Sequence, residues 1–189
     1  MASSVAPPRR RASARAADTV ERLVASAEDQ IRAGVEDLSV RSVARGAGVA
    51  PATAYTYFSS LDHLVAEVFW RRLDRLSTTP IDRRRSPGHR AGAALADIGR
   101  LVADDPGLAA ACTSALLGTD PDTARVRDRI GAAIHLRLSD ALGHDATPTT
   151  LLALELAYAG AMLQASMGYL DYHEWSDRLV EVALQICGK

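Results

Sequence analysis

Residues 39 to 64 constrain the fold more tightly than any other stretch of the chain. They read Ser-Val-Arg-Ser-Val-Ala-Arg-Gly-Ala-Gly-Val-Ala-Pro-Ala-Thr-Ala-Tyr-Thr-Tyr-Phe-Ser-Ser-Leu-Asp-His-Leu, two short helical segments around a glycine turn. Ser39 stands where a helix cap belongs, with a hydroxyl free to accept a backbone N–H. Val40 to Ala47 form the first segment, Gly48 turns the chain, and Pro51 opens a second segment that runs to about Tyr57. Helices joined this way make a helix-turn-helix, the geometry that lays one helix in the major groove of DNA.

The flanking sequence supports such a unit. Val20, Leu23, Val24, Ala27 and Ile31 repeat with the period of one helix face, and Gly34 supplies the stop. After Ser59 and Ser60, residues Leu61, Leu64, Val65, Val68, Phe69, Leu73 and Leu76 mark a fourth helix long enough to connect two modules. Ser77 to His89 holds Pro80, Arg83, Arg84, Arg85, Pro87 and Gly88 and reads as a linker. Beyond it the pattern predicts helices over about 90–103, 107–117, 121–142, 149–170 and 174–187, separated by Pro- and Gly-containing breaks. No stretch alternates with the period of a strand, so the expected fold class is all-α.

A net charge of −1 looks unfavourable for a DNA-binding chain until it is divided by region. Residues 1 to 16 carry Arg9, Arg10, Arg11 and Arg15 with no acid, whereas the remainder is weakly acidic. Positive charge therefore gathers at the front, where it can meet phosphates, and 1–16 reads as a flexible basic arm. Cys112 and Cys187 lie far apart among apolar neighbours, which fits free thiols in a reducing cytoplasm. Leu151 to Leu170 is apolar, but Glu155 and Gln164 interrupt it and no flanking Trp or Lys/Arg belt appears. A buried helix is expected there, with no membrane association.

A recognition helix needs small or polar residues at its front so that side chains and backbone can approach base edges. Pro51, Ala52, Thr53, Tyr55, Thr56 and Tyr57 meet that requirement. The threonines suit a thymine methyl or a phosphate, and the tyrosine hydroxyls suit phosphate oxygens. Arg41, Ser42 and Arg45 on the preceding helix complete the candidate DNA-binding set, with Arg41 the better placed arginine for a guanine. Val43, Ala44, Val49, Ala54 and Phe58 are read as the core beneath. Tyr55 carries both readings, because a tyrosine in a small helical domain often buries its ring and shows only its hydroxyl.

Ala44 to Leu64 resembles the signature of the TetR family of bacterial transcriptional repressors, with the match specific over about residues 17 to 66. The resemblance implies a homodimer with a three-helix DNA-binding domain and a larger helical domain for a small-molecule inducer. The expected division is 17–60 for the DNA-binding domain and 61–189 for the ligand-binding and dimerisation domain. Carried across, Arg41 and Thr53 fall where relatives contact bases or nearby phosphates, and Tyr55 and Tyr57 where they contact the backbone. Two positions depart from the pattern: Leu61 replaces the usual phosphate-gripping lysine, and Ala50 replaces the usual polar cap of the recognition helix.

Ala153, Ala157, Ala161 and Ala165 recur every fourth residue and predict a smooth ridge for close helix approach, flanked by Leu152, Leu156, Leu163 and Met167. Trp175, Leu179, Val182 and Ile186 share a face of the last helix. These two helices are expected to pair with a second copy, setting two DNA domains about 34–36 Å apart, or a multiple, to match a palindromic operator. Trp70, Leu73, Ile98, Val102, Cys112, Leu116, Ile134, His135, Tyr158 and Met162 are the candidate lining of a pocket for a mostly hydrophobic inducer.

Catalytic and metal motifs are missing from the sequence. His63, His89, His135, His144 and His173 lack metal-ligand spacing, and no phosphate loop or nucleophile elbow occurs. The chain is expected to be a non-enzymatic cytoplasmic DNA-binding regulator without a cofactor, released from its operator by the ligand. The competing reading is a small helical ligand-binding or adaptor protein without DNA activity.

Overall fold

The computed structural model describes residues 8–76, 79–103 and 105–188. The described residues form α-helices and one short 3-10 turn, with no strand among them. The helices are α1 (Pro8–Arg32), α2 (Val40–Gly46), α3 (Pro51–Tyr57), α4 (Leu61–Leu76), α5 (Pro87–Ala103), α6 (Pro106–Leu117), α7 (Pro121–Leu142), α8 (Pro148–Ser166) and α9 (Tyr172–Cys187).

Each early helix has a local cause. Ser39 caps α2 by accepting from Ser42 N at 3.1 Å, while the Ser42 hydroxyl accepts from Ser39 N at 3.0 Å, a reciprocal capping box. Gly48 then adopts φ +64°, a left-handed conformation that costs glycine little and other residues more. Recognition helix α3 starts from Ala50 without a side-chain cap, but Pro51 at its first position has no N–H needing one. Ala50 O accepts from both Thr53 N and Ala54 N, so the helix closes without the usual polar cap.

Leu23, Val24, Ala27 and Ile31 of α1 are buried against Val40, Val43 and Ala44 of α2, with Ala54 and Phe58 completing the small core. Burial of each large aliphatic side chain contributes roughly 1.5–3 kcal/mol, so this compact unit gains most of its stability here. Leu61 is half-buried and packs on the same core, in place of a lysine reaching for phosphate. The core continues without a break into α4 through Leu64, Val65, Val68, Phe69 and Leu73. That continuity joins the first three helices to the rest of the chain through one core.

In the larger part, α5 lies tightly against α9. A Cβ added to Gly92 would sit 2.9 Å from Val180 Cα, so glycine is what permits the two backbones to approach. α7 packs on α4 and α5, and α8 on α9 and α7.

Three expectations change. Residues 1–7 lie outside the described residues, and from Pro8 onward the backbone is helical, so residues 8–16 of the expected arm open α1. Alanine and arginine are strong helix formers, and Pro8 suits a first helical position. The linker likewise ends early at Pro87, its end fastened by the ion pair of Arg83 with Asp140. The helix expected over 149–170 stops at Ser166, because Gly168 turns left-handed at φ +77°.

Candidate nucleic-acid interface and ligand cleft

Three side chains of α1 hold α2 by its carbonyls. Ser26 Oγ donates to Val43 O at 3.0 Å, Gln30 Nε2 to Ser42 O at 3.2 Å, and Arg22 Nη1 to Ala47 O at 3.2 Å. These bonds tie α1 to the C-terminal half of a helix too short to be stable alone, adding to the Ala47 N–H that Val43 O already accepts. With Ala54 and Phe58 anchored below, α3 is fixed on the surface of the unit.

Its outer face is open. Pro51, Ala52, Thr53, Tyr55 and Thr56 are exposed, Tyr55 by 49%, so Tyr55 is a surface residue and not a core one. Arg41 and Arg45, one turn apart on α2, are also exposed, and no carboxylate among the described residues lies within ion-pair distance of either. Unpaired guanidinium groups beside a polar helix face suit phosphate or base contacts. The remaining candidates are more committed. The Ser42 hydroxyl serves the capping box and donates to Ser39 O at 2.9 Å, the Thr56 hydroxyl donates to Thr53 O at 2.7 Å, and Tyr57 is half-buried on the core.

Behind α3 the chain is tied to the larger part. Phe58 stacks edge-on with His63, whose Nδ1 accepts from Ser59 N at 3.4 Å. Ser60 Oγ caps α4 by accepting from His63 N and donates to Asp120 Oδ2 at 3.4 Å. Asp120 caps α7, and its carboxyl is held below the usual carboxylate range by the Thr123 hydroxyl, then the Thr123 N–H, with smaller help from Ser60 and His63. A single carboxylate thus touches both the turn after the recognition helix and the start of α7.

A cleft of about 480 Å³ opens between α6, α7 and α8. Of the expected lining residues, Leu116, Ile134, His135, Tyr158 and Met162 meet there, joined by Phe69. Trp70, Leu73, Ile98, Val102 and Cys112 do not line it. Leu73, Ile98, Val102 and Cys112 are closed into the core, and Trp70 lies beneath the Arg129 guanidinium at 4.4 Å. Apolar spacing marks these residues as inward-facing without separating packed positions from cleft walls. Arg127, Ile130 and Glu155 belong to the lining and were missed, the two charged ones because an apolar search passes over them. His135 Nδ1 lies 2.7 Å from Glu155 Oε1. Burial pushes the Tyr158 hydroxyl pKa up, with a smaller push from Cys112, leaving it a neutral donor at the cleft wall.

A second recess, about 590 Å³, is lined by Glu28, Arg32, Arg72, Arg75 and Asp105 together with Leu76 and Leu101. Its charges largely satisfy one another, so the apolar cleft is the better receptacle for an apolar molecule. No group of residues able to hold a metal occurs among the described residues, and none of the helices searched there is long and apolar enough to cross a membrane.

The expected dimer face is also redrawn. Ala165 is buried and Ala161 packs on the core, so the C-terminal half of the alanine ridge turns toward its own subunit, while Ala153 and Ala157 are half-buried. Trp175 and Leu179 are buried as well, with Trp175 5.7 Å from the Tyr158 ring. The face left open on α8 is Leu152, Leu156, Leu163 and Met167, one stripe at helical spacing, with Val182 exposed on α9.

An all-helical chain that holds a capped helix-turn-helix over a continuous core, with an open polar face on its second helix, is of the helix-turn-helix DNA-binding class. The family model described as bacterial regulatory proteins, tetR family, matches residues 23–68. HTH-type transcriptional regulators of Mycobacterium bovis and Mycobacterium tuberculosis are each 50% identical over 147 residues, covering 76% of this chain and 68% of the relative. The chain belongs to the tetR family of DNA-binding transcriptional regulators, a non-enzymatic class. The HTH-type transcriptional repressor KstR of Rhodococcus jostii is 33% identical over 101 residues, 53% of this chain and 48% of that one. A crystal structure of a TetR transcriptional regulator from Rhodococcus sp. RHA1 superposes with a TM-score of 0.73 at 21% identity, over 87% of this chain and 95% of that one.

Proposed function

We propose that the protein is a homodimeric repressor that binds a palindromic operator and is released by a small, mostly apolar ligand. The observation that carries this reading is the open α3 face, with Thr53 and Tyr55 exposed beside the unpaired Arg41 and Arg45. Thr53, Tyr55 and Arg41 make the sequence-bearing and positioning contacts, Arg45 a phosphate contact, while Pro51 and Ala52 give the backbone a close approach. The DNA-binding unit comprises residues 17–60 and the ligand-binding and dimerisation unit 61–189.

The open leucine stripe on α8, together with Val182 on α9, is the surface for the second copy. Burying those side chains supplies the apolar centre that a stable interface needs. The resemblance to a relative named as a repressor favours repression. The cleft supplies the ligand response: a molecule that prefers one placement of α6 and α7 shifts the population of DNA-domain positions by its differential affinity.

In-vitro selection from randomised duplexes tests the reading. An enriched inverted repeat bound by a dimer is the expected outcome. Failure to enrich any sequence would leave the chain a ligand-binding or adaptor protein.

A further inference from the structure

Arg127 is the unusual group of the cleft. Its neighbours on α7 are neutralised: Arg125 pairs with Asp122, and Arg129 with Glu67 at 3.3 Å. Arg127 is half-buried, lines an otherwise largely apolar cleft, and has no carboxylate among the described residues within 4.0 Å. Leaving a partly buried guanidinium without a counter-charge is costly, and such groups normally have partners.

Its hydrogen bonds show what remains available. Nη1 alone donates to two carbonyls, Leu116 O at 2.9 Å and Gly118 O at 3.0 Å. Nε and Nη2 make no hydrogen bond to the described residues, and together they form the side-on edge of the guanidinium that takes both oxygens of a carboxylate. The two carbonyl bonds already hold the fork in place, so a ligand loses little further side-chain entropy in using it.

The rest of the cleft gives the ligand a direction. His135 lies eight residues further along α7, about 12 Å at helical rise, and it is bonded to Glu155 at 2.7 Å. Ile130, Ile134, Tyr158 and Met162 line the space between. The Glu155 carboxylate disfavours an anion at that end, while Arg127 attracts one at the other.

We infer that Arg127 is the headgroup receptor of this cleft, and that the ligand is an elongated amphiphile with an apolar body and a single carboxylate. This inference rests on the ligand-release reading and specifies the chemistry of its ligand. Because the same guanidinium ties down Leu116 and Gly118, a headgroup that engages it acts directly on the α6–α7 turn. That turn leads to Asp120, which receives the Ser60 hydroxyl behind the recognition helix.

The test compares decanoate, decanol and decylamine, three probes of similar body and different head, by calorimetry and thermal shift on the full chain. Wild type is expected to bind decanoate at least about tenfold more tightly than decanol, the range of a charge-assisted pair, and decylamine least. Arg127→Gln should bring the decanoate-to-decanol ratio close to one, while Arg127→Lys should retain a preference. Circular dichroism and melting confirm that the variants fold, and Arg127→Lys keeps the test valid should the glutamine variant fail to fold. Equal binding of decanol and decanoate by wild type would overturn the headgroup assignment while leaving the ligand-release reading standing, as would a preference that survives in Arg127→Gln. Binding of none of the probes would overturn both.

Discussion

Arg72 Nε donates to Glu28 Oε1 at 2.9 Å, across 44 positions of sequence, and joins α4 to α1 at the base of the DNA-binding unit. The same guanidinium donates to Leu101 O at 2.8 Å and stands 3.6 Å from Asp105 Oδ2, a buried oxygen with no hydrogen bond of its own. Asp105 in turn caps α6 through Leu108 N. One arginine therefore neutralises a carboxylate on α1 and the capping carboxylate ahead of α6, and satisfies a carbonyl near the end of α5.

Removing it leaves the buried Asp105 Oδ2 without an ion-pair partner among the described residues, and leaves Glu28 only Arg75 at 3.6 Å. Arg72→Ala is expected to destabilise the chain by at most about 3–5 kcal/mol, the range for removing one partner of a buried pair, with Arg75 left 3.6 Å from Glu28 Oε1 to offset part of the loss. The check is a lower urea midpoint at unchanged slope. Glu28→Gln combined with Arg72→Ala should cost clearly less than the sum of the single changes, because the groups interact directly.

The open stripe on α8 gives a prediction about assembly. Leu156 is 64% exposed in the single chain, so Leu156→Glu costs the subunit fold little. In a dimer packed on that stripe it places a charge at the apolar centre. Light scattering should find a dimer for wild type and a monomer for Leu156→Glu with its helical signal intact; a persistent dimer would put the interface elsewhere.

Cys112 is 2% exposed, and burial pushes its thiol up to about 12, helped slightly by Asp105 and opposed by Arg72. At pH 8 it should stay unreactive toward a thiol reagent until the chain unfolds. Below the thiol's ordinary value of 9.0, folded and unfolded states both hold the proton. Between that value and about 12 the unfolded state binds fewer protons, so stability falls as pH rises. The melting temperature of wild type should therefore drop more steeply between about pH 9 and 11 than that of Cys112→Ala; parallel curves would contradict this.

Helix positions were largely readable from apolar spacing and from capping residues such as Ser39, Asp120 and the prolines, because these act locally. Which face of a helix looks inward was readable where the pattern is one-sided, as in α1 and α4. It was not readable on α8, which is apolar on nearly every side and so carries no directional signal. There Ala161 and Ala165 turned inward, while Leu152, Leu156 and Leu163 stayed outside. The cleft was half legible for a related reason: Leu116 and Cys112 look alike in sequence, yet only the first reaches the opening. Arg127 and Glu155 escaped notice because a charge on a helix usually means solvent. On the recognition helix the burial of Ala54 and Phe58 was legible from spacing, whereas the outward placement of Tyr55 was a tertiary fact that spacing left open.

Reading of DNA by α3 is tested most directly by operator affinity against salt for wild type, Tyr55→Ala and Arg41→Ala. Wild type should show a steep linear fall of log affinity with log salt, with a slope of about −0.9 for each phosphate neutralised. Each variant should lose at least about tenfold in affinity, or about 1.4 kcal/mol, with Arg41→Ala also flattening the slope and both retaining the wild-type helical signal. Wild-type affinity and slope in both variants would contradict the assignment of this face to DNA.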